Sequence, residues 1–172
     1  NSSISLRGVG NLAVGQSYDG SVGYHLNEVP IPTTAIGDEN FDVARIEVLR
    51  GPQGTLYGRG TTGGAVNVVT NMPDFDETYG SVKVTAGNYN TQKLEGMFNL
   101  PINDMFAVRF AGYGLKRDGF IDNLYMPDTH YDNRDQSSGR LTLAFQSGDT
   151  TASLMWQNYN AVSYTHLTLP TI

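Results

Sequence analysis

The sequence predicts two units built on different patterns: a compact, irregular α+β unit over residues 1–73, then a meander of antiparallel strands over residues 79–160. Three observations predict this. With 20 glycines and 10 tyrosines in 172 residues, the composition points to turns and strands rather than a helical bundle. The first part mixes short β-prone segments with Gly- and Pro-rich turns, whereas the second keeps apolar and polar residues in strict alternation. The turns between the alternating segments are themselves unequal, short at one end and long at the other.

Composition also removes several functions. A formal charge of −6 argues against a nucleic-acid partner, whose phosphates favour a basic face. The absence of cysteine excludes thiolate metal sites, disulfide frameworks and cysteine nucleophiles. No run approaches the roughly 20 apolar residues of a membrane helix. Strands of a membrane barrel never produce such a run, so that architecture stays open. The opening Asn1-Ser2-Ser3 has neither the basic stretch nor the apolar run of a signal peptide and reads as truncated.

Taken in order, residues 4–7 and 45–49 read as short strands, as does the 65–70 run after the glycine-rich stretch. Asp38-Glu39-Asn40 offers capping oxygens to one helical turn over residues 41–44, and Gly51-Pro52 stops the strand that follows. In the meander, Val82, Val84 and Ala86 form one apolar set, and Leu94, Phe98 and Leu100 the next. Phe106, Val108 and Phe110 follow, then Leu141, Leu143 and Phe145, then Leu154 and Trp156. Residues 101–104 and 147–149 read as tight turns, residues 87–90 as a short connection at the opposite end, and residues 118–136 as a long polar loop at that same end. This periodicity suits a membrane barrel and a soluble β domain equally.

Residues 41–70, FDVARIEVLRGPQGTLYGRGTTGGAVNVVT, closely resemble the end of the plug domain of TonB-dependent outer-membrane receptors. Ile4-Ser5-Leu6-Arg7-Gly8-Val9-Gly10 is similar to the plug's IxIRGxG segment. Residues 22–31 resemble its strand leading to the DGVPI turn, altered here to Asn27-Glu28-Val29-Pro30-Ile31. The resemblance spans residues 1 to about 160 and implies a fragment: an α+β plug remnant followed by the first antiparallel strands of a transmembrane β-barrel of about 22 strands.

The resemblance further implies active import of a scarce nutrient across the bacterial outer membrane. The expected cargo is a ferric siderophore, with cobalamin or a saccharide as alternatives within the family. It implies no catalysis and no cofactor. The partners implied are the TonB–ExbB–ExbD energy-coupling complex, the nutrient and outer-membrane lipid; the box that touches TonB would precede Asn1. By motif, Arg7 and Arg50 are expected to latch the plug to barrel glutamates, since a buried arginine without a partner is costly. Gly8, Gly51, Pro52, Gly54, Tyr57, Gly58, Gly63 and Gly64 carry the plug motif, and Gly51, Gly54, Gly58, Gly60, Gly63 and Gly64 are expected to allow close packing. Asn11, Leu12, Thr33 and Thr34 lie on apical turns where the family meets its ligand. Residues 162–172 have no place in the pattern and resemble translated adapter read-through, a non-native tail.

Other signals are weaker. Gly58-Arg59-Gly60-Thr61-Thr62-Gly63 matches a dinucleotide fingerprint, but a strand rather than a helix is expected after it. His25, His130 and His166 are too scattered for a zinc site. The acidic loop with Asp118, Asp122, Asp128, Asp132 and Asp135 lacks the glycine and terminal glutamate of a calcium loop and reads as hydrated surface. Tyr113, Tyr125, Tyr131 and Tyr159 are expected in an aromatic girdle, or else facing a ligand. Two rival classes remain: a soluble or secreted β-rich binding or adhesion domain, which leaves the match over residues 41–70 unexplained, and a carbohydrate-active enzyme pairing Glu95 with an aspartate, which nothing favours.

Overall fold

The computed structural model describes residues 5–6, 9–10, 21–31, 40–122, 130–131 and 133–162. It divides into two compact units, residues 1–71 and 72–172.

In the first unit a four-stranded sheet runs in the order β4-β3-β6-β5, with β3 (Val22–Leu26), β4 (Val29–Pro30), β5 (Val43–Arg50) and β6 (Gly64–Thr70). A separate two-stranded piece joins β1 (Ser5–Leu6) to β2 (Val9–Gly10). β3 and β6 are parallel, whereas β4 and β5 flank them antiparallel. Val22, Tyr24, Val66 and Val68 form the buried cluster on one face, with Leu6, Leu26, Ile31 and Val43 packed against it. Each such side chain removed from water contributes about 1.5–3 kcal/mol.

The helical turn expected over residues 41–44 is absent. Asp42 takes a left-handed φ of 50°, Val43 already pairs with Thr70, and Ala44 is the extra residue of a bulge before Arg45 pairs with Val69. The one helix among the described residues of this unit is instead α1 (Gly54–Tyr57), one turn beyond Gly51-Pro52.

The second unit is a five-stranded antiparallel meander in the order β13-β12-β9-β8-β7. Its strands are β7 (Tyr79–Gly87), β8 (Thr91–Asn103), β9 (Phe106–Arg117), β12 (Arg134–Ser147) and β13 (Thr150–Val162). Between β9 and β12, β10 (Ile121–Asp122) pairs with β11 (His130–Tyr131). At 9–14 residues, the five long strands exceed the usual length of about 5–6 and reach or exceed the roughly 9–11 needed to span a bilayer at a tilt. β8 runs through Pro101 to Asn103, further than the expected turn allowed. A bulge between Pro101 and Asn103 accommodates the proline, which lacks a ladder donor. β13 extends to Val162, one residue into the segment read as a foreign tail; residues 163–172 lie outside those described.

Register shows what alternation achieves. Phe98, Phe110, Leu141 and Trp156 stand in one row across four strands, and Leu100, Val108, Leu143 and Leu154 in the next. Apart from the buried Val108 and the partly buried Leu141, these side chains are exposed, as are Val82 and Val84, each 75%. The sheet therefore presents a continuous apolar face outward. Beside the aromatic row, Gly96, Gly112 and Gly139 align across three strands, leaving a trough of about 430 Å³ walled by Phe98, Phe110, Leu141 and Trp156. The opposite face is polar and charged: Asn99, Arg109 and Thr142 share one row and Lys83, Glu95, Tyr113 and Ser138 another. Tyr113 and Tyr159 belong to this polar face, so neither joins an outward girdle: Tyr113 lies four residues from Arg109 on β9, and both tyrosines pair with Ser138 of the polar row. The other two tyrosines of that expectation have no described side chain.

The apolar face yields a first prediction. In the complete barrel, Phe110→Arg should cost about 2–4 kcal/mol of stability in lipid. Denaturant titration in bilayers would check it, and a cost near zero would show that this face does not meet hydrocarbon.

Candidate functional site

The candidate site is the first unit's polar face and the loop that covers it, because this is where the plug motif folds. The loop between β5 and β6 is closed by its own backbone: the Gly51 amide donates to Gly63 O at 3.3 Å and the Gln53 amide to Thr61 O at 3.0 Å. α1 forms inside this closure, and the Thr61 hydroxyl donates to Gly58 O at 2.7 Å. His25, buried on β3, meets α1 edge-on at Tyr57, with ring centroids 4.6 Å apart and its Nε2 3.3 Å from Tyr57 O. β6 follows as a strand, so the glycine pattern at residues 58–63 presents no helix N-terminus to a pyrophosphate.

Asn67 is the hub of this face. At 1% exposure its amide Nδ2 donates to Glu47 Oε2 at 3.0 Å on β5, while its Oδ1 accepts the Glu28 amide at 3.0 Å from the β3–β4 turn. Arg45 Nε donates to the other Glu47 oxygen at 2.7 Å. The hydrogen bond from Asn67, reinforced by Arg45, holds the Glu47 carboxyl below its ordinary range. On the apolar face, burial pushes the Tyr24 hydroxyl up, partly offset by its 3.3 Å hydrogen bond to Asn40.

The β3–β4 turn is tight, with Asn27 and Glu28 at φ 49° and 69°, the paired left-handed geometry of a two-residue hairpin turn. The departure from the family's DG therefore keeps the turn but sets a glutamate where glycine is favoured. Asn27 compensates: its Nδ2 donates to Thr70 Oγ1 at 3.0 Å and its Oδ1 accepts the Thr70 amide at 2.9 Å, tying the turn to the end of β6.

The motif glycines do different jobs. Gly51, Gly58 and Gly60 take positive φ of 86°, 75° and 79°, and a Cβ at Gly51 or Gly58 would meet open space, so the requirement there is conformational rather than one of packing. Gly64, at φ 142°, is the close approach, since a Cβ there would collide with Leu49 O and Leu6. Gly54 has neither constraint. The Gly63 amide donates to Ser21 O at 2.7 Å, and Pro52 is exposed. Arg50 ends β5 with an exposed side chain and no ion pair to another described residue. Arg7, Gly8, Asn11, Leu12, Thr33 and Thr34 lie outside the described residues. The residues that reading by motif missed are Asn27, Glu47, Asn67 and Asn99; a polar residue inside an apolar run, as in Val66-Asn67-Val68, is the signal that marks one of them.

In the second unit, Asn99 is fully buried and accepts the Asp74 amide at 2.9 Å while donating to Asp74 O at 3.0 Å and Glu77 O at 2.7 Å. Arg109 Nη1 donates to the Tyr79 hydroxyl at 3.0 Å, and Arg140 Nε to Gln157 Oε1 at 3.0 Å. Glu95 bridges Lys83 at 3.4 Å and Lys93 at 3.2 Å.

Comparison with known proteins agrees with this geometry. Residues 1–65 match the profile of the TonB-dependent Receptor Plug Domain family. The chain is 44% identical over 73 residues to the pesticin receptor of Yersinia pestis, covering 42% of this chain and 10% of that protein. It is 30% identical over 135 residues to the ferric enterobactin receptor PirA of Pseudomonas aeruginosa, covering 70% of this chain and 17% of that protein. Among solved structures, the ferric yersiniabactin uptake receptor FyuA of Yersinia pestis superposes with a TM-score of 0.76 at 28% identity, covering 90% of this chain and 25% of that one. The chain thus spans between a tenth and a quarter of the length of these three proteins.

Two predictions follow from the site. Gly64→Ala should destabilise the first unit by more than about 1 kcal/mol, whereas Gly54→Ala should be neutral or slightly stabilising; amide exchange of β5 and β6 in the complete receptor would separate them, and equal effects would refute the distinction. A carboxyl whose pKa is lowered on folding gives stability that is present at neutral pH and lost as pH falls through that lowered value. Protection of the β5 amides, taken relative to their intrinsic exchange rates, should therefore fall on acidification below the ordinary glutamate range, with Glu47→Gln lacking that component; identical pH profiles would remove Glu47 from the account.

Proposed function

We propose, for a chain that belongs to the TonB-dependent receptor family, that the complete protein imports a ferric siderophore across the bacterial outer membrane, powered through the TonB–ExbB–ExbD complex. The observation that carries this reading is the succession, in one chain, of a plug domain and a wall of long strands with an apolar outer and a polar inner face. A wide barrel would leak unless filled, and a domain pinned by a few hydrogen bonds can both fill it and be rearranged. The family consists of transporters rather than enzymes, and the cargo is substrate, not cofactor.

Within this reading the apolar face meets outer-membrane lipid. Arg50, exposed at the end of β5, latches the plug to a barrel carboxylate, with Arg7 as its counterpart. Asn11, Leu12, Thr33 and Thr34 touch the cargo on the outer side. A ferric siderophore is favoured over cobalamin or a saccharide because two of the relatives above are named for ferric siderophores.

The test is uptake by a strain stripped of its own siderophore receptors and supplied with the complete gene. A panel of iron-loaded siderophores should include at least one taken up with TonB and not without it. Arg50→Ala should admit large antibiotics that the intact receptor excludes. Import of cobalamin or a saccharide with no siderophore transported, or uptake indifferent to TonB, would overturn the assignment.

A further inference from the structure

The chain is held at two points as it leaves one unit and enters the other. Asn71 is fastened within the first unit, its amide donating to Asp42 O at 3.1 Å and its Nδ2 to Asp42 Oδ1 at 2.8 Å. Asp74 is fastened within the second by both its N–H and its C=O, to the side chain of Asn99. Only Met72 and Pro73 separate the two fastenings, a tether of about 10 Å at full extension.

The chemistry at Asn99 is specific. One amide oxygen accepts an N–H and one amide nitrogen donates to two carbonyls, so the side chain behaves like a peptide group added to the edge of residues 74–77. Aspartate has the same size but no donor, and would set a carboxylate against two carbonyl oxygens. Asn99 also lies opposite Tyr79, the first residue of β7, and opposite Arg109, so the clamp sits at the first rung of the strand ladder. Asn99 is itself buried, which strengthens its part of these bonds.

We propose that Asn99 is a positioning residue for transport: it makes Asp74 a fixed point, so that rearrangement of the first unit stops there and does not strip β7 from β8. This rests on the import reading above. Without the clamp, a displacement of the first unit would pass through Met72-Pro73 directly to Tyr79 and the start of the ladder.

The test compares Asn99→Ala and Asn99→Asp with the native complete receptor in membranes, reading amide exchange over residues 74–78, cargo affinity and maximal TonB-dependent uptake. Both variants should speed exchange about tenfold or more, since each loses at least two of the Asn99 side-chain hydrogen bonds. Both should lower maximal uptake while leaving the Kd for cargo unchanged. Native-like exchange or uptake in Asn99→Asp would show that side-chain volume alone matters, and the proposal would fall. So would faster exchange with normal uptake, or a parallel loss of affinity, uptake and barrel melting temperature. The exchange arm needs no cargo: if the native receptor imports no siderophore, the import reading fails while the clamp is still judged by Asn99→Asp.

Discussion

Under the membrane setting proposed above, the strand ladder of the second unit depends on one constraint: in hydrocarbon, every backbone amide and carbonyl must find its partner within the protein. Antiparallel pairing from Tyr79 to Val162 meets this for β8, β9 and β12, each paired on both sides, and assigns every side chain to one of two faces. The apolar rows around Phe110 and the polar rows around Arg109 are then consequences of register. A slip of one residue would turn Arg109 and Arg140 outward and Phe98 and Trp156 inward, so the chemistry of the two faces guards the register as firmly as the hydrogen bonds do.

The first unit solves a different problem. Beside the apolar cluster around Val22, Tyr24, Val66 and Val68, its other face is polar and carries amides whose hydrogen-bonding capacity is used in several directions at once. Asn67 links β5, β6 and the β3–β4 turn, and Asn27 links that turn to Thr70. Such bonds are directional and individually modest, about 0.5–1.5 kcal/mol net. They fix the direction and register of the elements they join, which apolar contact alone does not.

Much of the architecture was legible because period two survives in a sequence without any knowledge of neighbours. The five long strands cover the alternating runs, and the glycine-rich loop and the strand after it fall where motif places them, but the expected loop over residues 118–136 holds the β10–β11 pair and the first residues of β12. The failures have physical causes. Capping oxygens at residues 38–40 suggested a helical turn, but Val43 gains a β-partner in Thr70 that lies 27 residues downstream. Pro101 suggested a turn, but a bulge absorbed it. Residue type suggests a girdle for Tyr113, but its parity with Arg109 on β9 decides its side. The hub at Asn67 and the clamp at Asn99 join positions 20 and 25 residues apart, so only the fold discloses them.

The glycine row on the outer face has a mechanical meaning. At Gly96, Gly112 and Gly139 three neighbouring strands carry no side chain on the same line. A Cβ at Gly112 would come within 3.0 Å of Ser138 O, whereas one at Gly139 would touch nothing. Side chains on the outside of a sheet act as spacers that resist bending, and here the spacers are missing along one transverse line. Along that line the three strands are free of the side-chain contacts that oppose bending, the place where glycine lets a sheet turn most easily.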